Sequence, residues 1–417
     1  MRLSNLIESF VIELTDYNSK QSSDKTSLAL RQIGRQGFYF NREMEDHFSE
    51  IIEEIAKYQN LGLKLSNSFI EKEFINSLER ILSDTESLKI GMEDLLKRLI
   101  SLTFSSRVFL PISGLKSEME TFKLGPYQFL QNPPSYLSSE ILSFLDQIKP
   151  KDVTGKPIEQ KRFVELVSGN IPGKLTLVVD IDVEPDKAVE IATREGQTIV
   201  SILKLYLNPR HLVRNLSKLY LGGQPLNHVD SVLVFDTLNT GVRHQSRLVG
   251  AIEEIVLTQE IIDDFKRHGI DKLLQIIRTR TKNDFNDKLL RSILWYTEGC
   301  FKERQSDQIL SLVVALECVM KPRSTMAIKD SIVENVAVLI GNDLVERKQI
   351  IKELKELIDL RNGVAHGSGT MDISDAKMTK FNNLVERLIF RLIDFIGKVK
   401  SMEEVHVELT NERLTPY

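Results

Sequence analysis

The chain has 417 residues, of which 41% are hydrophobic and 27% charged, and its formal net charge is −4 at pH 7. This balance is typical of folded globular proteins, and at roughly 100–200 residues per domain the length predicts two or three domains. The small negative charge excludes a polycation, so any contact with nucleic acid must come from local basic patches.

Three further features favour a cytoplasmic protein. The chain contains no run of about 18 apolar residues, so we expect no membrane span. Glu8 and Glu13 interrupt the apolar residues at the N-terminus, which argues against a signal peptide. Cys300 and Cys318 lack the spacing and the neighbouring histidines of a zinc site, so we expect two reduced thiols and no metal.

The chain falls into three regions by pattern. Over residues 1–103 apolar side chains recur at helical spacing, which predicts a mostly helical N-terminal region. Residues 104–265 contain short runs rich in β-branched residues, and Asp186–Leu207 reads as a helix that follows one of them. The runs are Arg107–Pro111, Leu175–Val183, Ser231–Phe235 and Ile255–Leu257. This texture predicts a mixed α/β domain.

From residue 266 to 417 the pattern is helical again. One helix begins near Leu289, a second carries the apolar positions from Ile309 to Val319, and a third spans 328–340 with Gly341 as its stop. The pattern predicts a fourth helix over Leu344–Leu360 and a long last helix capped by Ser374. The expected fold class is therefore α+β, mainly α, with a helical bundle at the C-terminal end.

Among seven histidines, His366 alone has a chemical setting, because it follows Arg361 and Asn362 at the end of an amphipathic helix. In a continuous helix, residues five apart point about 140° away from each other. A bend at the surrounding glycines, Gly363, Gly367 and Gly369, would let Arg361 and His366 reach one cleft. Histidine exchanges protons near neutral pH, and the arginine fork matches phosphate oxygens, which suits cleavage of RNA. Alternatively, the arginine forms an ion pair and the histidine caps the last carbonyls.

A resemblance adds to this pattern. Residues 305–366 resemble the Apea-like branch of the HEPN superfamily, on the helix that contains Leu310–Glu317 and on the later Arg361–Gly367. Four residues separate Arg361 from His366, as the family's Arg-x4–6-His motif requires, and Asn362 is a usual polar choice at its position. The run Phe122–Gly125 is similar to the domain that often precedes this type of HEPN domain.

The resemblance implies a metal-independent endoribonuclease without a cofactor. HEPN domains are helical bundles that form homodimers, in which the Arg and His of two protomers build one composite cleft. Many act as toxin-like effectors of antiviral defence by abortive infection, so we expect RNA as substrate and the first 265 residues to respond to a phage-derived trigger or regulatory partner. The alternative is a non-catalytic HEPN module that binds a protein partner, a nucleotide or RNA.

Several other residues leave their role open. Glu317 either orients Arg361 or His366, or forms an ion pair with Lys321 one turn later. Three basic clusters either follow an RNA backbone or form solvated faces: Arg210, His211, Arg214 and Lys218; Arg243, His244 and Arg247; Arg278, Arg280 and Lys282. Trp295, Tyr39 and Phe40 either stack on bases or, as we expect, pack in the core. No GxGxxG, GxxxxGK[ST], GxSxG or HExxH motif is present.

Overall fold

A computed structural model describes most of the chain. The described residues are 2–19, 29–33, 36–83, 88–132, 143, 173–208, 219–221, 231–236, 241–246, 254–279, 283–300, 302, 304–320, 328–365 and 373–414. Contacts divide the chain into two compact units. The first comprises Met1–Val108 and Val179–Ala192, and the second comprises Phe109–Val178 and Thr193–Tyr417. The division into three domains stays a prediction.

The first unit is mostly helical, as the apolar spacing predicted. Its elements are α1 (Arg2–Ser19), β1 (Ala29–Ile33), β2 (Gln36–Phe40), α2 (Arg42–Lys57), a 3-10 turn (Tyr58–Leu63), α3 (Asn67–Leu82) and α4 (Leu88–Ser101). Asn41 begins α2 by accepting a hydrogen bond from the backbone N–H of Met44, and Ser66 begins α3 by accepting one from Phe69. The antiparallel hairpin β1–β2 was not predicted.

An aromatic cluster forms the centre of this unit. The rings of Phe10, Phe40 and Phe48 contact one another with centroids 5.6 to 5.8 Å apart, and Phe74 contacts Phe48 at 5.7 Å. All four side chains are buried, which confirms the expectation that Phe40 lies in the core. The pairs that Phe40 forms with Phe10 and Phe48 are edge-on, a geometry that stabilises a core beyond the area it buries.

A five-stranded sheet has the strand order β5–β6–β7–β3–β8. Its strands are β3 (Ser106–Ser113), β5 (Thr121–Leu124), β6 (Tyr127–Gln131), β7 (Leu175–Ile181) and β8 (Tyr220–Leu221). Two further pairs are β4 (Leu115–Ser117) with β11 (Ile255–Leu257), and β9 (Ser231–Asp236) with β10 (Gly241–Ser246). The four β-like runs of the sequence are thus confirmed as strands, while the hairpin β5–β6 was not predicted.

The helix α5 (Pro185–Leu207) matches the prediction for 186–207. It begins at Glu184, whose carboxylate accepts hydrogen bonds from the backbone N–H groups of Asp186 and Lys187. These bonds pair two of the N–H groups that a helix leaves without partners in its first turn. The cap therefore explains why the helix begins directly after β7.

The rest of the second unit is helical. Its helices are α6 (Gln259–Arg267), α7 (Ile270–Thr279), α8 (Asp284–Gly299), α9 (Gln305–Met320), α10 (Ile328–Ile340), α11 (Leu344–Ala365), α12 (Asp375–Ile393) and α13 (Met402–Leu414). The apolar α9 packs against α8, α10, α11 and α12. Gly299 allows the close approach of α8 and α9, because a Cβ there would lie 2.6 Å from Cβ of Ser311.

These elements confirm the α+β, mainly helical fold class. Among the described residues, no helix is both long and apolar enough to cross a membrane. Gly341 follows the last residue of α10 as predicted, and its N–H donates to the carbonyl of Ala337. Ser374 precedes α12 as predicted, although its side chain makes no capping hydrogen bond.

Candidate functional site

Arg361 occupies a position where an apolar residue would continue the core. On α11 the buried side chains Ile350, Leu354, Leu357 and Ile358 form one face of the helix. Arg361 lies four residues after Leu357 and three residues after Ile358, so it continues the same face of the helix. Its side chain is 34% exposed, so part of a permanent cation lies against the bundle. A charged residue at such a position requires partners, because burial of an unpaired charge is costly.

The guanidinium of Arg361 is incompletely satisfied. Its Nη1 donates to Oδ1 of Asn362 at 3.2 Å, and its Nη2 lies 3.9 Å from Oε1 of Glu317, an ion-pair distance that exceeds a hydrogen bond. Its Nε is buried and meets no acceptor among the residues that the structure describes. A buried N–H without a partner disfavours the fold by about 1–3 kcal/mol, so Arg361 is poorly explained as a residue that serves stability alone.

Glu317 reaches Arg361 from the neighbouring helix. It lies on α9, between the buried residues Leu316 and Val319, and its side chain is 30% exposed. The packing of α9 against α11 brings the carboxylate and the guanidinium together although 44 residues separate them in the chain. The alternative partner, Lys321, lies outside the described residues. The observed geometry is a long ion pair between Glu317 and Arg361, and the orienting role of Glu317 stays a prediction.

Of the three glycines at which a bend was expected, Gly363 does not bend the helix. The helix α11 continues through Gly363 and ends at Ala365, five residues beyond the predicted end at Leu360. A glycine inside a helix is less favourable than alanine by about 1 kcal/mol, and here the packing of α11 against α9 and α10 outweighs that preference. Arg361 and Asn362 therefore lie in the last turns of the helix. His366 is the residue directly after it and lies outside the described residues, as do Gly367 and Gly369.

Helix α8 carries Arg291, whose charge acts on Cys318, and the exposed Trp295. Burial raises the pKa of the Cys318 thiol, Arg291 opposes this rise and Glu317 adds to it, so Arg291 acts on the end of α9 that carries Glu317. Trp295, one turn after Arg291, is 42% exposed, which makes the expectation of a core position wrong. An exposed indole can stack on a nucleic-acid base. Sequence patterns missed Arg291, because only the packing of α8 on α9 reveals it.

Of the other predicted basic residues, Arg278 is the one whose side chain the structure describes. Nη1 of Arg278 lies 3.6 Å from the buried carboxylate of Glu195, which also accepts a hydrogen bond from the hydroxyl of Tyr127. Arg278 therefore has a structural partner. Arg210, His211, Arg214, Lys218, Arg247, Arg280 and Lys282 lie outside the described residues, and the side chains of Tyr39, Arg243 and His244 are not described either.

The thiols do not form an additional reactive centre. Burial raises the pKa of Cys300 to about 12, so this thiol stays protonated near neutral pH. Within the described part of the chain, no group of three or more His, Cys, Asp or Glu side chains is arranged to hold a metal ion. Comparisons of the chain with models of protein families, with curated proteins and with solved structures found no match.

Proposed function

We propose that this chain is an endoribonuclease of the HEPN type, which cleaves RNA without a metal ion at a site built from Arg361, Asn362, His366 and Glu317. The site is completed by a second copy of the chain, so the active form is a homodimer. In the cell the protein acts in the cytoplasm as a toxin-like effector of abortive infection. A phage-derived trigger or a regulatory partner controls it through the first 265 residues.

The observation that supports this proposal most is the unsatisfied guanidinium of Arg361. A structural arginine at this position would have its N–H groups paired, whereas Arg361 is half-buried with Nε unpaired among the described residues. The guanidinium is exposed enough to reach a ligand and is held from two sides by Asn362 and Glu317. A phosphodiester supplies the anionic oxygens that such a group binds best.

Each residue has a distinct role in the proposed reaction. His366 accepts the proton of the ribose 2′-hydroxyl, whose oxygen then attacks the adjacent phosphorus. The bond to the 5′-oxygen of the next nucleotide breaks, that oxygen receives the proton from His366, and the products carry a 2′,3′-cyclic phosphate and a 5′-hydroxyl. Arg361 stabilises the charge that develops on the non-bridging oxygens, and Glu317 and Asn362 hold the guanidinium in place.

The proposal is tested by incubating the purified protein with total RNA in EDTA and following cleavage over time. The wild-type chain is compared with His366→Ala, Arg361→Ala and Arg361→Lys. Loss of general acid–base catalysis is expected to slow cleavage by about 10²–10⁴-fold, and loss of the charge-stabilising group by about 10²–10³-fold. Lysine keeps the charge but not the fork, so Arg361→Lys is expected to retain an intermediate rate.

Arg304→Ala is the matched control, because Arg304 is exposed just before α9 and shares neither partner of Arg361. It is expected to cleave RNA at the wild-type rate. Equal cleavage by wild type and His366→Ala would mean that a contaminating nuclease acts and would overturn the assignment. Binding of intact RNA without cleavage by any variant would favour the non-catalytic HEPN module.

A further inference from the structure

A basic cavity of about 790 Å³ lies in the second unit, at the N-terminal end of α11. The end of α6, the first turn of α7, the junction of α10 with α11 and the last turns of α12 line it. Arg347, on its wall, and Arg361 lie 14 residues apart on one helix, so the two positions are separated by about 21 Å along the helix axis. The cavity is therefore distinct from the site around Arg361.

The charge of the cavity is opposite to that of the chain. Six cationic side chains line it: Lys266, Arg267, Lys272, Arg347, Arg387 and Arg391. Two carboxylates, Glu386 and Asp394, line it as well, and Arg387 and Arg267 form ion pairs with Glu346 and Asp264. The local excess of positive charge, in a chain of net charge −4, therefore rests mainly on Lys266 and Lys272. Glu386 accepts hydrogen bonds from Tyr296 and Asn208, and Asp394 accepts one from Arg391, so both carboxylates are engaged.

Part of this charge is held in a fixed arrangement. Nε of Arg347 donates to the carbonyl of Gly341 at 3.1 Å, and Nη2 of Arg387 donates to the carbonyl of Ile340 at 2.6 Å. Gly269 has a φ of +83°, and a Cβ there would lie 2.9 Å from Cγ2 of Ile393. Only glycine allows the loop before α7 to approach α12 so closely. The backbone of the cavity wall therefore fixes the positions of these two arginines.

Two lysines extend the surface beyond this cavity. Lys266 and Lys272 also line a neighbouring cavity of about 510 Å³, together with Lys123. Both lysines are exposed, and neither has an ion-pair partner among the described residues. The cations therefore form an extended open surface rather than one closed pocket. Such a surface is typical of a groove that follows a nucleic-acid backbone.

We infer that Lys266, Lys272 and the arginines of this cavity bind the phosphate backbone of a single-stranded RNA substrate several nucleotides away from the bond that is cut. This inference rests on the proposed function, because it places the same RNA on a second part of the second unit. The arginine forks bind phosphate oxygens in pairs, and the lysines bind them as point charges. Backbone contacts of this kind raise affinity without selecting a sequence.

The test measures RNA binding separately from cleavage. Binding of a fluorescent single-stranded RNA of about twenty nucleotides, longer than the usual site of a single binding module, is followed by anisotropy over a range of salt concentrations. The full chain carries His366→Ala so that the RNA stays intact. The double variant Lys266→Ala/Lys272→Ala is compared with Lys72→Ala/Lys89→Ala, which removes two exposed lysines of the first unit and changes the net charge equally.

Loss of the two cavity lysines is expected to weaken RNA binding at least tenfold. The slope of log K against log salt concentration is expected to fall by about 0.7 per lost phosphate contact, and the control pair is expected to change neither quantity. Equal affinity and equal slope in both double variants would overturn the inference. It would also be overturned if Lys266→Ala/Lys272→Ala weakened the binding of ATP and left the binding of RNA unchanged.

Failure of the inference and failure of the proposed function give different results. If the wild type cleaves RNA but the lysine pair affects neither binding nor cleavage, only the inference fails. If lysine-dependent binding occurs and the wild type cleaves nothing in EDTA, the nuclease assignment fails and the RNA surface stands.

Discussion

Replacement of Arg361 by methionine is expected to abolish RNA cleavage without lowering the stability of the fold. The ion pair with Glu317 is lost, but both side chains are about one-third exposed, so its contribution is at most about 1 kcal/mol. The hydrogen bond to Asn362 contributes about 0.5–1 kcal/mol, whereas removal of the unpaired buried Nε–H regains about 1–3 kcal/mol. Methionine fills the same space and favours a helix. The balance ranges from about 1 kcal/mol of destabilisation to about 2.5 kcal/mol of stabilisation, with its midpoint on the stabilising side.

Urea unfolding followed by tryptophan fluorescence measures this change, because the single tryptophan, Trp295, reports on the second unit. Arg304→Met serves as the control for an exposed arginine and is expected to change the free energy of unfolding by less than about 0.5 kcal/mol. A loss of more than about 1 kcal/mol in Arg361→Met would refute the reasoning, since it would show that Arg361 serves the fold.

Three further substitutions test other parts of the account. Glu317→Gln is expected to slow RNA cleavage by no more than about fivefold, because an ion pair of this exposure contributes at most about 1 kcal/mol to the position of Arg361. Gly299→Ala is expected to lower the free energy of unfolding by about 1–3 kcal/mol, since the new Cβ would clash with Ser311. In Glu184→Gln the cap of α5 loses its charge, which is expected to lower stability by about 1 kcal/mol at neutral pH, measured by circular dichroism in urea.

The loss of stability in Glu184→Gln depends on pH, and the pKa of Glu184 determines in which direction. Burial acts to raise the pKa of Glu184, but hydrogen bonds from Asp186, Ser66 and Lys187 outweigh it, so the pKa in the folded state is lowered. The charged cap therefore stabilises the fold above the pKa of the unfolded chain, and this stabilisation is lost as pH falls through the lowered value. The difference between wild type and Glu184→Gln is expected to shrink in acid.

Each of these three expectations has a contradicting result. A hundredfold slower cleavage by Glu317→Gln would mean that this carboxylate takes part in the reaction itself and does not only position Arg361. Wild-type stability of Gly299→Ala would mean that α8 and α9 can separate without cost. A stability difference at Glu184 that grows as pH falls would show that the carboxylate is protonated in the folded state.

Periodicity was a good guide to the helices of the second unit. The apolar spacing before Gly341 predicted α10 with its observed ends, because a glycine coincided with the end of the apolar pattern. The same reasoning failed at Gly363, where the pattern also ended near a glycine but α11 continued for five more residues. Packing of α11 against its neighbours decided the second case, and a window of sequence contains no information about that packing.

The juxtaposition of the site residues was beyond sequence patterns as well. Glu317 and Arg361 meet only because α9 packs beside α11, and Arg291 acts on this region only because α8 packs on α9. The basic surface at Lys266 and Lys272 combines cationic side chains of four helices and one strand. Such long-range contacts depend on tertiary structure, whereas the Arg361–His366 motif was visible because its residues are close in the chain.

The most direct test of the central claim is the rate of RNA cleavage in EDTA by wild type, Arg361→Met and His366→Ala, with analysis of the product ends. The account predicts cleavage by the wild type alone, with 2′,3′-cyclic phosphate and 5′-hydroxyl ends, while Arg361→Met unfolds at the same or a higher urea concentration. Equal cleavage by all three proteins, or none by a correctly folded wild-type dimer supplied with its trigger, would contradict it.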